Sequence, residues 1–179
     1  MLKIAIIGQQ CSGKTSIAKH LTNIFPQSVI YKIADPIYSV LDCLCQTKNR
    51  AFMQEFGDLA KKHFGENVFT EIFKKNVIEK ERLCETCSLT NSVIICDDIR
   101  RLYELDVVKE LGFKVVSIKA PAEIRKARAE KLGLDFIENH NSETEVPDLI
   151  DKADYKIIDN GDITIDDLFF IIKEALTKL

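Results

Sequence analysis

The chain has 179 residues, 46% of them hydrophobic, and its 25 Lys and Arg face 28 Asp and Glu for a net charge of −3. That length supports one domain with a substantial core and excludes a second large one. The slightly acidic balance offers no general attraction to nucleic acid or an anionic membrane and no stretch approaches a membrane span, so anion specificity must come from local clusters.

The first predicted element is the strand Leu2 to Ile7, a continuous apolar run of the kind buried on both faces of a parallel sheet. Because it leads straight into the next segment, residues 1–7 are not expected to be a removable signal, and the chain reads as cytosolic. That segment, Gly8-Gln9-Gln10-Cys11-Ser12-Gly13-Lys14-Thr15, satisfies G-x-x-x-x-G-K-[S/T] at every fixed position. The glycines let successive N–H groups turn inward onto a polyphosphate, Lys14 reaches the outer phosphates, and the Thr15 hydroxyl suits Mg²⁺. The predicted phosphate-binding set is Gly8, Gln10, Cys11, Ser12, Gly13, Lys14, Thr15 and Ser16. A chance Gly-rich turn is the competing reading; the helical spacing of Ile17, Ala18, Leu21, Ile24 and Phe25, closed by Pro26, argues against it.

A second strand is predicted over Ser28–Ile33, followed by Asp35 before Pro36. Asp35 suits contact with a second substrate, and turn formation explains an Asp-Pro pair equally well. About sixty residues then separate the second and third strands, more than a crossover helix needs. This insertion, 36–91, carries helical spacing over Pro36–Leu44, Phe52–Phe64 and Val68–Ile78, the last marked by Val68, Ile72, Val77 and Ile78. It is expected to form a flap over the crevice at the carboxyl ends of the strands.

The third strand, Val93–Cys96, ends in Asp97 and Asp98. Either carboxylate suits Mg²⁺ or its waters, with Asp98 the favoured metal residue beside Thr15; capping of the next helix is the alternative. Arg100 and Arg101 follow, suited to a phosphate or to pairing with Glu104 on the surface. After the fourth strand, Lys114–Ile118, a charge-dense excursion, 121–147, reads as a lid. Within it Arg125, Arg128 and Lys131 share a helical face. Spacing alone fits a solvated helix, while arginines on a closing lid suit the spread charge of a moving phosphoryl group. The fifth strand is Tyr155–Ile158, and the last helix, from about Thr164, places Ile165, Leu168, Phe169, Ile172 and Leu176 on one packing stripe.

Strands alternating with helices imply an α/β fold: a parallel sheet of about five strands covered on both faces. Among the six cysteines, Cys84 and Cys87 have knuckle spacing and Cys43 and Cys45 could complete a zinc set, but residues two apart on a helix diverge, which favours free thiols. His20, His63 and His140 form no ligand set by spacing.

With these residues in place the chain resembles the deoxynucleoside monophosphate kinases of bacteriophages and related viruses, a branch of the P-loop kinases similar to dephospho-CoA and phosphomevalonate kinases. The likeness rests on the phosphate loop, Ala34-Asp35-Pro36-Ile37, Gln54-Glu55-Phe56-Gly57, Asp98-Ile99-Arg100 with Glu104, His140-Asn141-Ser142-Glu143, and the closing strand and turn from Tyr155 to Gly161. Tyr38 stands where that family often has Lys, and Arg101-Leu102 replaces a usual Phe-Pro. The resemblance implies a three-layer P-loop fold with an acceptor-binding helical insertion and a lid. It implies ATP and Mg²⁺ as cofactors, small-molecule nucleotide substrates, and a monomer or homodimer that binds neither nucleic acid nor membrane. By resemblance, Asp35, Gln54, Arg100 and Glu104 contact the acceptor, while Lys14, Arg100 and Arg125 or Arg128 act on the transferring group. Kinases of other small metabolites and a non-catalytic nucleotide-binding module are the alternatives; no Asn/Thr-Lys-x-Asp guanine motif is present.

Overall fold

The computed structural model describes all residues except 48, 90, 91, 135, 137–143, 160, 162, 178 and 179. Its centre is β1 (Leu2–Ile7), whose alternating side chains supply two cores. Ile4 and Ile6 pack with Ile17 and Leu21 of α1 (Lys14–Ile24) and with Leu168 and Ile172 of α8 (Ile165–Thr177). Ala5 and Ile7 join the opposite cluster with Phe73, Val108 and Leu149. These come respectively from α4 (Val68–Thr86), α5 (Leu102–Glu110) and α7 (Val146–Asp151). A strand buried on both sides needs apolar residues at every position, which is why β1 lacks polar alternation.

The sheet is five-stranded and parallel, in the order β2 (Val29–Ile30), β3 (Val93–Cys96), β1, β4 (Lys114–Lys119) and β5 (Tyr155–Ile158). Leu2 pairs with Val93 and Ala5 with Cys96 on one side of β1; on the other, Ile7 pairs with Ser117. The chain therefore leaves β1 in one direction for β2 and β3 and crosses it to reach β4. The crevice between these halves, at the carboxyl ends of the strands, is where such sheets bind ligands.

Two predicted boundaries move by several residues. The second strand shrinks from the expected Ser28–Ile33 to two residues, because beyond Tyr31, whose N–H still reaches the Ile95 carbonyl at 2.9 Å, the amides turn to carboxylates. Lys32 N–H donates to Asp35 Oδ2 (2.7 Å), and those of Ile33 and Ala34 donate to Asp98. The insertion forms α2 (Asp35–Cys43), α3 (Arg50–Phe64) and α4, the last running eight residues past the predicted Ile78. Its buried stripe is Phe69, Phe73, Val77 and Cys84, while the expected Ile72 and Ile78 face outward. The final helix begins as expected after Thr164, where reciprocal hydrogen bonds between Thr164 and Asp167 cap its first turn.

Of the predicted lid, α6 (Ala122–Lys131) and α7 are described, while His140, Asn141, Ser142 and Glu143 lie outside the described residues. The four candidate zinc cysteines sit at the ends of α2 and α4; Cys84 is buried beside the Ser92 hydroxyl, and Cys43, Cys45 and Cys87 are exposed. Among the described residues no group of three or more His, Cys, Asp or Glu is placed to hold a metal, and no helix is long and apolar enough to cross a membrane.

Candidate active site

The loop between β1 and α1 curls back over the sheet because two of its residues, Cys11 (φ 60°) and Gly13 (φ 101°), adopt left-handed backbone. Gly8 has no room for a side chain: a Cβ there would lie 2.4 Å from Ser12 Oγ and 2.5 Å from the Ile118 carbonyl oxygen. Lys14 is only 7% exposed, and its ammonium donates to the carbonyls of Gly8 (2.5 Å) and Gln9 (2.8 Å). The loop thus carries a buried cation at its rim, and α1 adds the positive end of its dipole from below. Gln10 to Ser16 line a cleft of about 740 Å³, bounded opposite by Lys32, Tyr38, Asp97, Asp98 and Arg100.

The two adjacent aspartates that end β3 do different things. Thr15 donates its hydroxyl proton to Asp97 Oδ2 at 2.8 Å, and Lys32 Nζ donates to Asp97 Oδ1 at 2.5 Å. The Asp97 side chain has no solvent exposure. With its proton committed to Asp97, the Thr15 oxygen keeps lone pairs that face the cleft, the hard-oxygen donor type that Mg²⁺ takes. Asp98, the favoured metal residue of the sequence reading, instead accepts the amides of Ile33 (3.0 Å) and Ala34 (2.9 Å) through separate oxygens. It clips the turn after β2 to the end of β3. Burial pushes its carboxyl up, partly opposed by those amide bonds.

Next to this cleft lies a second cavity of about 410 Å³ under the inserted helices, lined by Ile37, Met53, Gln54, Asp58, Lys61 and Phe69 on one side and Arg100, Arg101, Tyr103 and Glu104 on the other. Asp98 and Arg100 line both spaces. Gln54, Arg100 and Glu104 are therefore gathered around one cavity. Asp35 is not among the lining residues; its carboxylate closes the turn onto Lys32 N–H.

Glu104 is 8% exposed, and its Oε2 accepts the amides of Arg100 (2.7 Å) and Arg101 (3.0 Å). The capping of this helix, the alternative role for Asp97 or Asp98, thus falls to Glu104 inside it. Burial raises its carboxyl to about 7, against the opposing pull of the Arg100 amide. A folded-state value above the ordinary 4.5 means that the folded chain binds this proton more tightly than the unfolded chain. Stability from this site is then retained below about 4.5 and lost as pH rises through about 7. Glu104→Gln is expected to gain stability over the unmodified chain on going from pH 5 to pH 8; urea midpoints at the two pH values measure it, and a difference independent of pH would contradict the burial argument. Arg101 does not pair with Glu104: its Nη1 meets Glu145 Oε1 at 3.0 Å, and Glu145 Oε2 accepts the Leu102 amide at 2.8 Å.

The two arginines expected on a lid also separate. Arg125 is buried (3% exposed), with Nε donating to the Ala120 carbonyl at 3.1 Å and its guanidinium stacked 5.3 Å from the Phe136 ring centroid. Arg128 donates to Asp159 Oδ2 at 2.8 Å and reaches the Cys11 carbonyl of the phosphate loop at 3.5 Å. Only Arg128 touches that loop; Arg125 packs the base of α6.

Sequence reasoning passed over Lys32 and Lys61. Lys32 sits just past β2 as Asp97 sits just past β3, and in parallel strands such positions meet at one end of the sheet. Burial alone would lower the Lys32 ammonium, but the hydrogen bond and charge of Asp97 outweigh it and hold the pKa above its ordinary value.

No family model matches the chain, and no curated protein is detectably similar to it in sequence. Solved structures do share its architecture. Shikimate kinase from Aquifex aeolicus is 18% identical with a TM-score of 0.54, covering 98% of this chain and 96% of its own. Shikimate kinase from Acinetobacter baumannii, solved with shikimate, is 17% identical with a TM-score of 0.53 over 99% and 94%. A sugar kinase from a Janibacter species is 14% identical with a TM-score of 0.55 over 99% and 95%. At these identities the likeness establishes the fold: a five-stranded parallel sheet covered on both faces, as in those structures.

Proposed function

We propose that this protein is a kinase that moves the γ-phosphoryl group of ATP onto the phosphate of a nucleoside or deoxynucleoside monophosphate. The observation that carries the reading is the pair of adjoining cavities, one walled by the phosphate loop and one by the inserted helices, which share Arg100 and Asp98. A donor held in the first and an acceptor in the second would meet at a guanidinium. Lys61, Arg100 and Arg101 offer donors for a phosphate in the acceptor space, which Asp58, Asp98 and Glu104 also line. The kinase names of the structural neighbours agree with phosphoryl transfer in general.

In this reading Lys14 leaves the loop carbonyls to meet the outer phosphates of the donor. Gly8, Gln10, Cys11, Ser12, Gly13, Thr15 and Ser16 enclose those phosphates, Arg100 aligns the acceptor phosphate, and Gln54 and Glu104 contact the rest of the acceptor. Thr15 and Asp97 would hold Mg²⁺, which when bound neutralises phosphate charge. An acceptor phosphate is already an anionic nucleophile, so rate enhancement comes from alignment and charge stabilisation and no protein base is required. Arg128 stabilises the transferring group from the rim of the loop, and Arg125 supports α6.

A coupled assay for ADP release, run across the nucleoside and deoxynucleoside monophosphates with shikimate, sugars and dephospho-CoA alongside, tests the assignment. Acceptor-dependent ADP with one or more monophosphates is expected; turnover confined to the other acceptors would reassign the substrate, and none with any acceptor would reject the kinase reading. Arg128→Ala is expected to lower kcat about 10- to 100-fold while changing ATP affinity less than about threefold, a split that marks contact in the transition state. An unchanged kcat would leave Arg128 as the tie between α6 and Asp159.

A further inference from the structure

Lys32 is the one lysine whose ammonium is bound to the carboxylate facing the phosphate loop across Thr15 among the described residues. The arrangement is a three-membered chain: Thr15 hydroxyl to Asp97 Oδ2 at 2.8 Å, and Asp97 Oδ1 to Lys32 Nζ at 2.5 Å. Asp97 is wholly buried on its side-chain surface and Lys32 about a quarter exposed (27%), so the carboxylate has no water to balance its charge while the lysine opens to the cleft. Asp98 adds a second negative charge close by, with both oxygens already given to backbone amides. A buried carboxylate without a counter-cation is costly, and here an ammonium on a flexible stem meets that need.

A divalent cation at Thr15 would make the same demand on Asp97. Its bound waters are strong donors and its charge is twice that of an ammonium, so metal and Lys32 compete for one oxygen. Resting on the kinase reading above, we infer that Lys32 is an exchangeable counter-cation that occupies Asp97 Oδ1 when no divalent ion is bound and yields it when one arrives, setting how much metal the site requires. Lys32 is here a positioning residue: it acts on the metal through Asp97, and its long side chain lets it swing into the cleft without moving β2 or β3. Exchange of one cation for another also keeps the buried acid neutralised in both states, which a permanently empty oxygen would not.

The test reads binding. The dissociation constant of the non-hydrolysable ATP analogue AMP-PNP is measured by calorimetry with Mg²⁺ and with EDTA, and the ratio of the two gives the enhancement due to metal. Lys32→Met is expected to raise that ratio about tenfold or more, the scale of one charge-assisted hydrogen bond removed from the competitor. Lys32→Arg, which keeps the cation, is expected to stay within about twofold of the unmodified protein. In the Asp97→Asn background Lys32→Met is expected to add no increase. An unchanged or lower ratio for Lys32→Met overturns the inference while leaving the kinase reading intact. So does an equal increase in the Asp97→Asn background, since the effect would then be long-range charge. An unmodified protein that binds AMP-PNP under neither condition overturns both. Far-ultraviolet circular dichroism of each variant confirms that the comparison is between folded chains.

Discussion

Asp97→Asn is expected to lower kcat about 100-fold or more, whereas Asp98→Asn is expected to lower kcat less than about tenfold and instead to destabilise the fold by about 1–3 kcal/mol. The two residues are neighbours of identical chemistry at the end of one strand, so the contrast isolates geometry. Asp97 meets the hydroxyl of Thr15 and the ammonium of Lys32, both facing the phosphate cleft. An asparagine there keeps the shape but removes the charge that would hold a metal's waters. Asp98 accepts two backbone amides with two oxygens. An asparagine can present an oxygen to only one of them and turns an NH₂ group on the other, leaving a buried donor unpaired. Urea unfolding and steady-state kinetics on both variants measure the split. If Asp98→Asn were the inactive variant and Asp97→Asn merely unstable, the metal assignment would pass back to Asp98.

Gly8→Ala is expected to weaken ATP binding at least about tenfold and to cost roughly 1–3 kcal/mol of stability, the range for forcing atoms into a packed site. The added methyl would meet Ser12 Oγ at 2.4 Å and the Ile118 carbonyl oxygen at 2.5 Å. The carbonyl belongs to β4, which is held in the sheet between β1 and β5, so the loop has to give way. Any shift of the loop moves Ser12 and Lys14, whose positions define the anion cradle. Gly65→Ala provides the comparison. Gly65 ends α3 at φ 96° with open space around its Cβ position, so the change strains the backbone by about 1 kcal/mol far from the phosphate loop. Equilibrium binding of AMP-PNP and urea midpoints separate the two variants: equal losses of affinity would mean that Gly8 matters only through overall stability.

These contrasts show where reading the chain succeeds and where it stops. The phosphate loop is legible because it is contiguous: eight successive residues between a strand and a helix leave few conformations open. The strands other than the second are legible because each is an apolar run bounded by breakers. The second strand misleads because its later amides are claimed by carboxylates, that of Lys32 by Asp35 and that of Ile33 by Asp98, 65 residues away. The apolar stripe of α4 misleads for a related reason: Val68, Ile72, Val77 and Ile78 look periodic, yet the sheet selects Phe69, Phe73 and Val77. Spacing on α6 suggests that Arg125 and Arg128 act together, but one is buried under Phe136 and the other reaches Cys11.

By itself, then, the order of residues determined the phosphate loop, the alternation of strands and helices, and the presence of a large helical insertion, since each depends on neighbours along the chain. Tertiary structure alone decided which of two adjacent aspartates faces Thr15, that Lys32 joins it, and that Arg100 stands between two cavities. Successive residues at the end of a strand point to opposite sides, and only the packing of β3 between β2 and β1 says which side holds the loop.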